Sequence, residues 1–140
     1  MKPRVLIVAA PFGFGPAAKA LILVRGLQDR ADLALCADRE AWDFIDRHKP
    51  AAVACHRGIF AHCFADRASL LPFDHVISVN HAPALVHMQA LGLAGRTVFV
   101  DSLLAWREAS ASAAVPPGLQ AYLVQDYPGA AGLLGRALAA

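Results

Sequence analysis

Charged side chains are scarce in this chain of 140 residues, since Asp, Glu, Lys and Arg together make up only 17% of it. Hydrophobic residues make up 57%, which excludes an intrinsically disordered protein and favours a large buried core. The formal net charge at pH 7 is only +2, and the basic residues are scattered, so the sequence carries no electrostatic signature of nucleic-acid binding. The length predicts one domain over residues 1–140.

Long apolar runs and cysteine frameworks are also missing. Arg25 and Asp29 interrupt the longest early apolar stretch before it reaches the length of a membrane span, and no signal-peptide pattern is present. The three cysteines, Cys36, Cys55 and Cys63, are odd in number and lack the spacing of a disulfide framework. We therefore expect a cytoplasmic protein with reduced thiols and no membrane contact.

What the sequence does contain is a regular alternation of strand and helix patterns. The first strand candidate is continuously apolar, which is typical of a strand buried on both faces, and an amphipathic run over Ala17–Arg30 follows it. The six strand candidates are Val5–Ala10, Leu33–Ala37, Ala51–Cys55, His75–Val79, Thr97–Val100 and Ala121–Gln125. This alternation predicts an α/β fold: a doubly wound, mainly parallel Rossmann-like sheet with helices on both faces and the first strand in the centre.

Local signals place two more helices. Asp38 is a favourable N-cap for a helix that Pro50 closes. Another helix is predicted over Ala84–Leu91, because Gly92 directly after it is typical of the left-handed residue that ends a helix. The segment 58–72 gives no clear assignment.

The turn after the first strand contains Phe12, Gly13, Phe14 and Gly15. Glycines let backbone N–H groups approach a ligand closely, and the positive end of the next helix dipole faces the same crevice. A phosphate or another anion suits such a turn, so we predict a nucleotide- or sugar-handling domain. A tight turn without a ligand remains the alternative.

Polar residues follow several other strand candidates at the edge where open parallel sheets bind their ligands. Arg57 suits a carboxylate or phosphate, and His81 suits a general base near neutral pH. Ordinary loop polarity is the alternative for both. We predict His81 as the catalytic residue, and as substrate-binding residues Phe12, Gly13, Phe14, Gly15, Arg57, Asn80, Ser102 and Gln125.

Two cofactor hypotheses have weaker support. The stretch Gly13–Ala18 matches the G-x-G-x-x-A dinucleotide fingerprint, with Asp38 where a ribose-binding acid would stand, but Pro16 removes an N–H that a pyrophosphate would use. His56 and His62 meet a loose zinc-ligand spacing, yet no second compact pair completes the site. We expect neither a cofactor nor a metal, and keep a NAD- or flavin-binding oxidoreductase half as an alternative.

Four pieces of the chain occur in a familiar order and spacing: Val5–Ala10, the turn Phe12–Pro16 with Lys19, Val100–Leu104 with Trp106, and Tyr122–Gly129. Together they resemble the N-terminal domain of GT-B-fold glycosyltransferases, within them the bacterial cytosylglucuronate-synthase-like group. Phe14 stands where many such relatives carry a basic histidine. The resemblance implies a domain that binds a small-molecule acceptor, such as a nucleoside or nucleotide, for transfer from a nucleotide-sugar. A non-catalytic nucleotide-binding or assembly module is the alternative.

The last segment, Gly129–Ala140, is predicted to form a helix of Ala, Gly and Leu in which Arg136 is the only charged residue. A surface helix normally carries more charge on its outer face. We therefore expect this helix to bind a second domain or partner subunit, or to self-associate. A poorly ordered tail is the alternative.

Overall fold

A six-stranded sheet organises the computed structural model, which describes residues 1–101 and 118–124. The strands are β1 (Arg4–Ala9), β2 (Asp32–Ala37), β3 (Ala54–Arg57), β4 (His75–Val79), β5 (Thr97–Asp101) and β6 (Ala121–Val124). Their order is β3-β2-β1-β4-β5-β6, and every neighbouring pair is parallel. The prediction of a doubly wound, Rossmann-like α/β fold with a central first strand is therefore confirmed.

Helices cover both faces of this sheet. In the described part of the chain they are α1 (Gly15–Leu27), α2 (Arg39–His48), α3 (Phe60–Cys63), α4 (Arg67–Leu70), α5 (Ala82–Ala90) and a 3₁₀ turn (Ala94–Arg96). The helices α1 and α2 pack with Val5 and Ile7 of β1, whereas α3, α4 and α5 pack with Leu6 and Val8. Successive side chains of β1 thus enter two different cores, which explains its continuous apolar run.

The third strand lies further along the chain than the sequence predicts. It spans Ala54–Arg57 instead of Ala51–Cys55, so His56 and Arg57 lie inside the strand and not beyond it. These two residues extend the pairing with β2, opposite Cys36 and Ala37 respectively. The prediction was wrong because it assigned the apolar residues 51–53 to the strand. They form a turn whose first two residues are exposed.

Two helices also begin earlier than predicted. The first helix begins at Gly15 and ends at Leu27, since Pro16 fits the first turn, where its missing N–H costs nothing. In the same way α5 begins at Ala82, ahead of Pro83. Gly92 has φ +72° and follows α5 as the predicted left-handed residue.

The segment without a sequence assignment, 58–72, contains the one-turn helices α3 and α4. The carboxylate of Asp66 caps α4 by accepting a hydrogen bond of 2.9 Å from the backbone N–H of Ser69. The Phe64 ring packs against those of Phe60 and Phe73, with centroids 5.7 and 5.9 Å apart. Aromatic packing on the sheet therefore holds this segment in place.

The predicted helix over Gly129–Ala140 lies outside the described residues. Its structure remains a prediction. Within residues 1–101 and 118–124, none of the helices is long and apolar enough to cross a membrane.

The two-sided core makes a sharp prediction for β1. Ile7 is fully buried, whereas Ile22 on α1 is 64% exposed. We expect Ile7→Ala to lower the free energy of unfolding by about 2–5 kcal/mol, because it leaves a cavity. The matched change Ile22→Ala should shift it by no more than about 0.5 kcal/mol. Urea denaturation measures both, and equal effects would contradict the assigned core.

Candidate functional site

The loops that leave β1 and β4 diverge to opposite faces of the sheet, because β1 leads to α1 and β4 leads to α5. Such a reversal opens a crevice at the carboxyl ends of the strands. A cavity of about 230 Å³ lies there. Its wall contains Pro11 after β1, Asp38 after β2, Gly58 after β3 and His81 after β4. Four strand ends therefore contribute to one cavity.

His81 holds the N-cap position of α5 and is half-buried. Its backbone carbonyl accepts hydrogen bonds from the buried Ser78 hydroxyl (2.7 Å) and from the Ala84 N–H (3.1 Å). Burial lowers the pKa of its imidazole below the ordinary value of 6.5. An imidazole that is neutral at pH 7 can accept a proton from a bound group.

Asp38 differs from its sequence-based interpretation. It occupies the N-cap position of α2 as predicted, but its carboxylate makes no capping hydrogen bond. The residue is half-buried in the cavity wall instead. Arg39 beside it is exposed, also lines the cavity and has φ +52°, which is unusual for a residue other than glycine. Asp38 thus lines the cavity and does not cap the helix with its side chain.

The glycine-rich turn lies beside the cavity and does not contribute to its wall. Gly13 has φ +67°, a conformation that favours glycine, while a Cβ at Gly15 would have no atom within 4 Å. The ring of Phe14 is exposed and packs against Phe44 of α2, with centroids 5.6 Å apart. Of the loop after β1, Pro11 therefore lines the cavity, and the predicted residues Phe12 to Gly15 lie next to it.

The other predicted binding residues are dispersed. Arg57 is exposed and its guanidinium stacks on the Trp42 ring at 4.2 Å, on the α2 side. Asn80 is buried with φ +57°, and its N–H donates to the Val100 carbonyl (2.9 Å). Ser102 and Gln125 lie outside the described residues. The structure thus brings His81 into the cavity wall without Arg57 or Asn80.

A buried carboxylate lies at the end of β5. Asp101 is fully buried and accepts a hydrogen bond of 2.5 Å from the Tyr122 hydroxyl, which connects β5 to β6. On α1, burial lowers the pKa of Lys19, and the charge of Asp101 opposes that shift. Asp101 is therefore bonded within the fold.

Metal ligands are not assembled in the part of the chain that the structure describes, where no three His, Cys, Asp or Glu side chains could hold an ion.

Comparisons with known protein families, with curated protein sequences and with solved structures found no match.

The two glycines of the turn should respond differently to alanine. Gly13→Ala forces a Cβ into the left-handed region and should lower the free energy of unfolding by about 1–2 kcal/mol. Gly15→Ala meets open space and should leave stability unchanged or raise it by up to about 1 kcal/mol. Urea denaturation measures both variants. The turn geometry is wrong if Gly15→Ala is the more damaging change.

The pKa of His81 is directly measurable. The folded state should bind its proton less readily than the unfolded chain, whose pKa is about 6.5. The contribution of His81 to stability is therefore complete above that pH and is lost as the pH falls through the lower folded-state pKa. Titration of the imidazole C–H resonances by NMR, assigned with His81→Gln, measures the value. A pKa at or above 6.5 would contradict the burial argument.

Proposed function

We propose that this domain is the acceptor-binding half of a GT-B-like, nucleotide-sugar-dependent glycosyltransferase, with the acceptor in the cavity beside β1 and β4. One observation carries the proposal: a half-buried histidine with a lowered pKa and a carboxylate without a capping bond line the same cavity. The motif resemblance gives this arrangement its reaction class.

Glycosyl transfer requires a base at the acceptor. As the acceptor oxygen or nitrogen bonds to the anomeric carbon of the sugar, the bond from that carbon to the nucleotide phosphate breaks. The attacking group must also lose its proton, and we assign that proton to the His81 imidazole. A base works only when it is unprotonated at the working pH, which the lowered pKa of His81 provides.

The chemistry of the cavity wall favours an uncharged acceptor. Apolar side chains, including Val8, Ile59 and Phe60, form much of the wall, and the Asp38 carboxylate accepts hydrogen bonds from hydroxyl or amino groups. The neighbouring Arg39 offsets the charge of this carboxylate, so the wall carries no net formal charge when His81 is neutral and suits an uncharged acceptor. The volume of about 230 Å³ lies below the roughly 300–1,000 Å³ of pockets for drug-sized ligands, so it suits one small ring system.

Side chains at the rim of the cavity support the proposal that a second domain or partner subunit covers it. Phe12, Phe14 and Ile59 lie in the loops at this edge of the sheet and expose 61%, 58% and 48% of their surfaces. Exposed apolar side chains grouped around a site are typical of surfaces that another body covers. We assign the nucleotide-sugar to that second body.

A dinucleotide-binding module is the second candidate. Asp38 follows the second strand of a sheet in the order 3-2-1-4-5-6, where a ribose-binding acid stands in NAD-binding domains. Pro16 in the first turn of α1 opposes this function, because it lacks the N–H that a pyrophosphate would use. Binding of NAD or NADH would favour this candidate over the first.

Calorimetry distinguishes the candidates. We expect at least one of the four ribonucleosides to bind more tightly than its monophosphate. NAD and NADH should not bind. Loss of a hydrogen bond to a charged group costs about 1.5–3 kcal/mol, so Asp38→Asn should weaken nucleoside binding roughly 10- to 150-fold. Asp29→Asn, at the opposite edge of the sheet, is the matched control and should bind normally. Equal affinities in both variants would contradict the proposal.

A further inference from the structure

Two thiols meet in the core below α3. Cys36 of β2 is buried in this core, and Cys63 of α3 is half-buried against it. The Sγ of Cys36 lies 3.8 Å from the carbonyl oxygen of Gly58, and the Sγ of Cys63 lies 3.6 Å from that of Arg57. The two thiols thus donate hydrogen bonds to the carbonyls of neighbouring residues, Gly58 and Arg57. These bonds bring β2 and α3 together at one point of the core.

Glycine makes this approach possible. Gly58 has φ +142°, and a Cβ at this position would lie 3.0 Å from the Cys63 Sγ. Cys36 and Gly58 also line the cavity described above. The third cysteine, Cys55, packs against the core on the opposite face of the sheet, although it lies next to the same loop. The packing therefore singles out Cys36 and Cys63 as a pair.

We propose that Cys36 and Cys63 form a reversible intramolecular disulfide in the wall of the cavity, with a small-molecule disulfide such as oxidised glutathione as the oxidant. The more exposed Cys63 thiolate attacks one sulfur of the oxidant, whose S–S bond breaks and releases one glutathione. The Cys36 thiolate then attacks Cys63 Sγ and displaces the second glutathione. The protein loses two electrons and two protons, and the oxidant becomes two thiols.

The environment of Cys36 determines how fast the second step proceeds. Burial is the main cause that raises its pKa, followed by the neighbouring Cys63 of α3, Cys55 of β3 and Asp38 at the end of β2. The thiolate is the attacking form, so the rate of ring closure should rise about tenfold per pH unit from pH 7. The disulfide needs only the thiol geometry, so it is independent of the proposed function.

Peptide mapping tests the pair directly, because trypsin places the cysteines on three peptides: 31–39, 48–57 and 58–67. The folded chain is incubated with oxidised glutathione at pH 8.5, alkylated and digested without reduction. We expect one cross-linked species that joins 31–39 to 58–67 and is two hydrogens lighter than their sum. Cys55→Ser should give the same species, and dithiothreitol should reverse it.

Oxidation in 6 M guanidinium is the matched control, because an unfolded chain should join all three peptides in mixed pairs. Circular dichroism before and after oxidation establishes that the native sample stays folded. A native cross-link to 48–57, or glutathione on Cys63 with a free Cys36, would overturn the proposal. The wild-type map decides alone, so the result does not depend on whether Cys36→Ser or Cys63→Ser folds.

Discussion

The burial of β1 on both faces is the constraint on which the rest of the structure depends. Its side chains alternate between the core under α1 and α2 and the core under α3 to α5. A strand covered in this way has to be central, and the chain winds outward from it in both directions. The direction changes beside β1, so the loops after β1 and β4 separate and the cavity opens between them.

Sequence patterns predict those parts of the fold that depend on chain-local signals. The apolar run in β1 and the glycine after α5 both identify their elements correctly. The prediction from sequence patterns is wrong at β3. The apolar residues 51–53 belong to a turn, and the strand instead includes His56 and Arg57. The pairing with β2 decides the bounds of that strand, and a single sequence does not contain this tertiary information.

The sequence predicts the site, like the fold, only in part. Chain order alone places His81 at the carboxyl edge of the sheet, and the structure has it in the cavity wall there, while its catalytic role stays a prediction. Chain order does not predict the face of the sheet toward which each loop turns. It therefore does not predict that Phe14 packs on α2 and that Arg57 stacks on Trp42, away from the cavity wall. From the sequence, Asp38 suits both a helix cap and a ribose-binding acid, and only the structure shows that its side chain makes no capping bond.

Ligand binding at the reversal between β1 and β4 can be mapped on the backbone amides by NMR. The ¹⁵N-labelled protein is titrated in turn with adenosine, cytidine, guanosine and uridine. We expect at least one nucleoside to shift amides of residues 12–15, 38–39, 58–59 and 81–82, which line the cavity or lie next to it. Amides of 28–33 and 51–53, at the opposite edge of the sheet, should stay in place. Shifts confined to that opposite edge would show that the ligand does not bind at the reversal between β1 and β4.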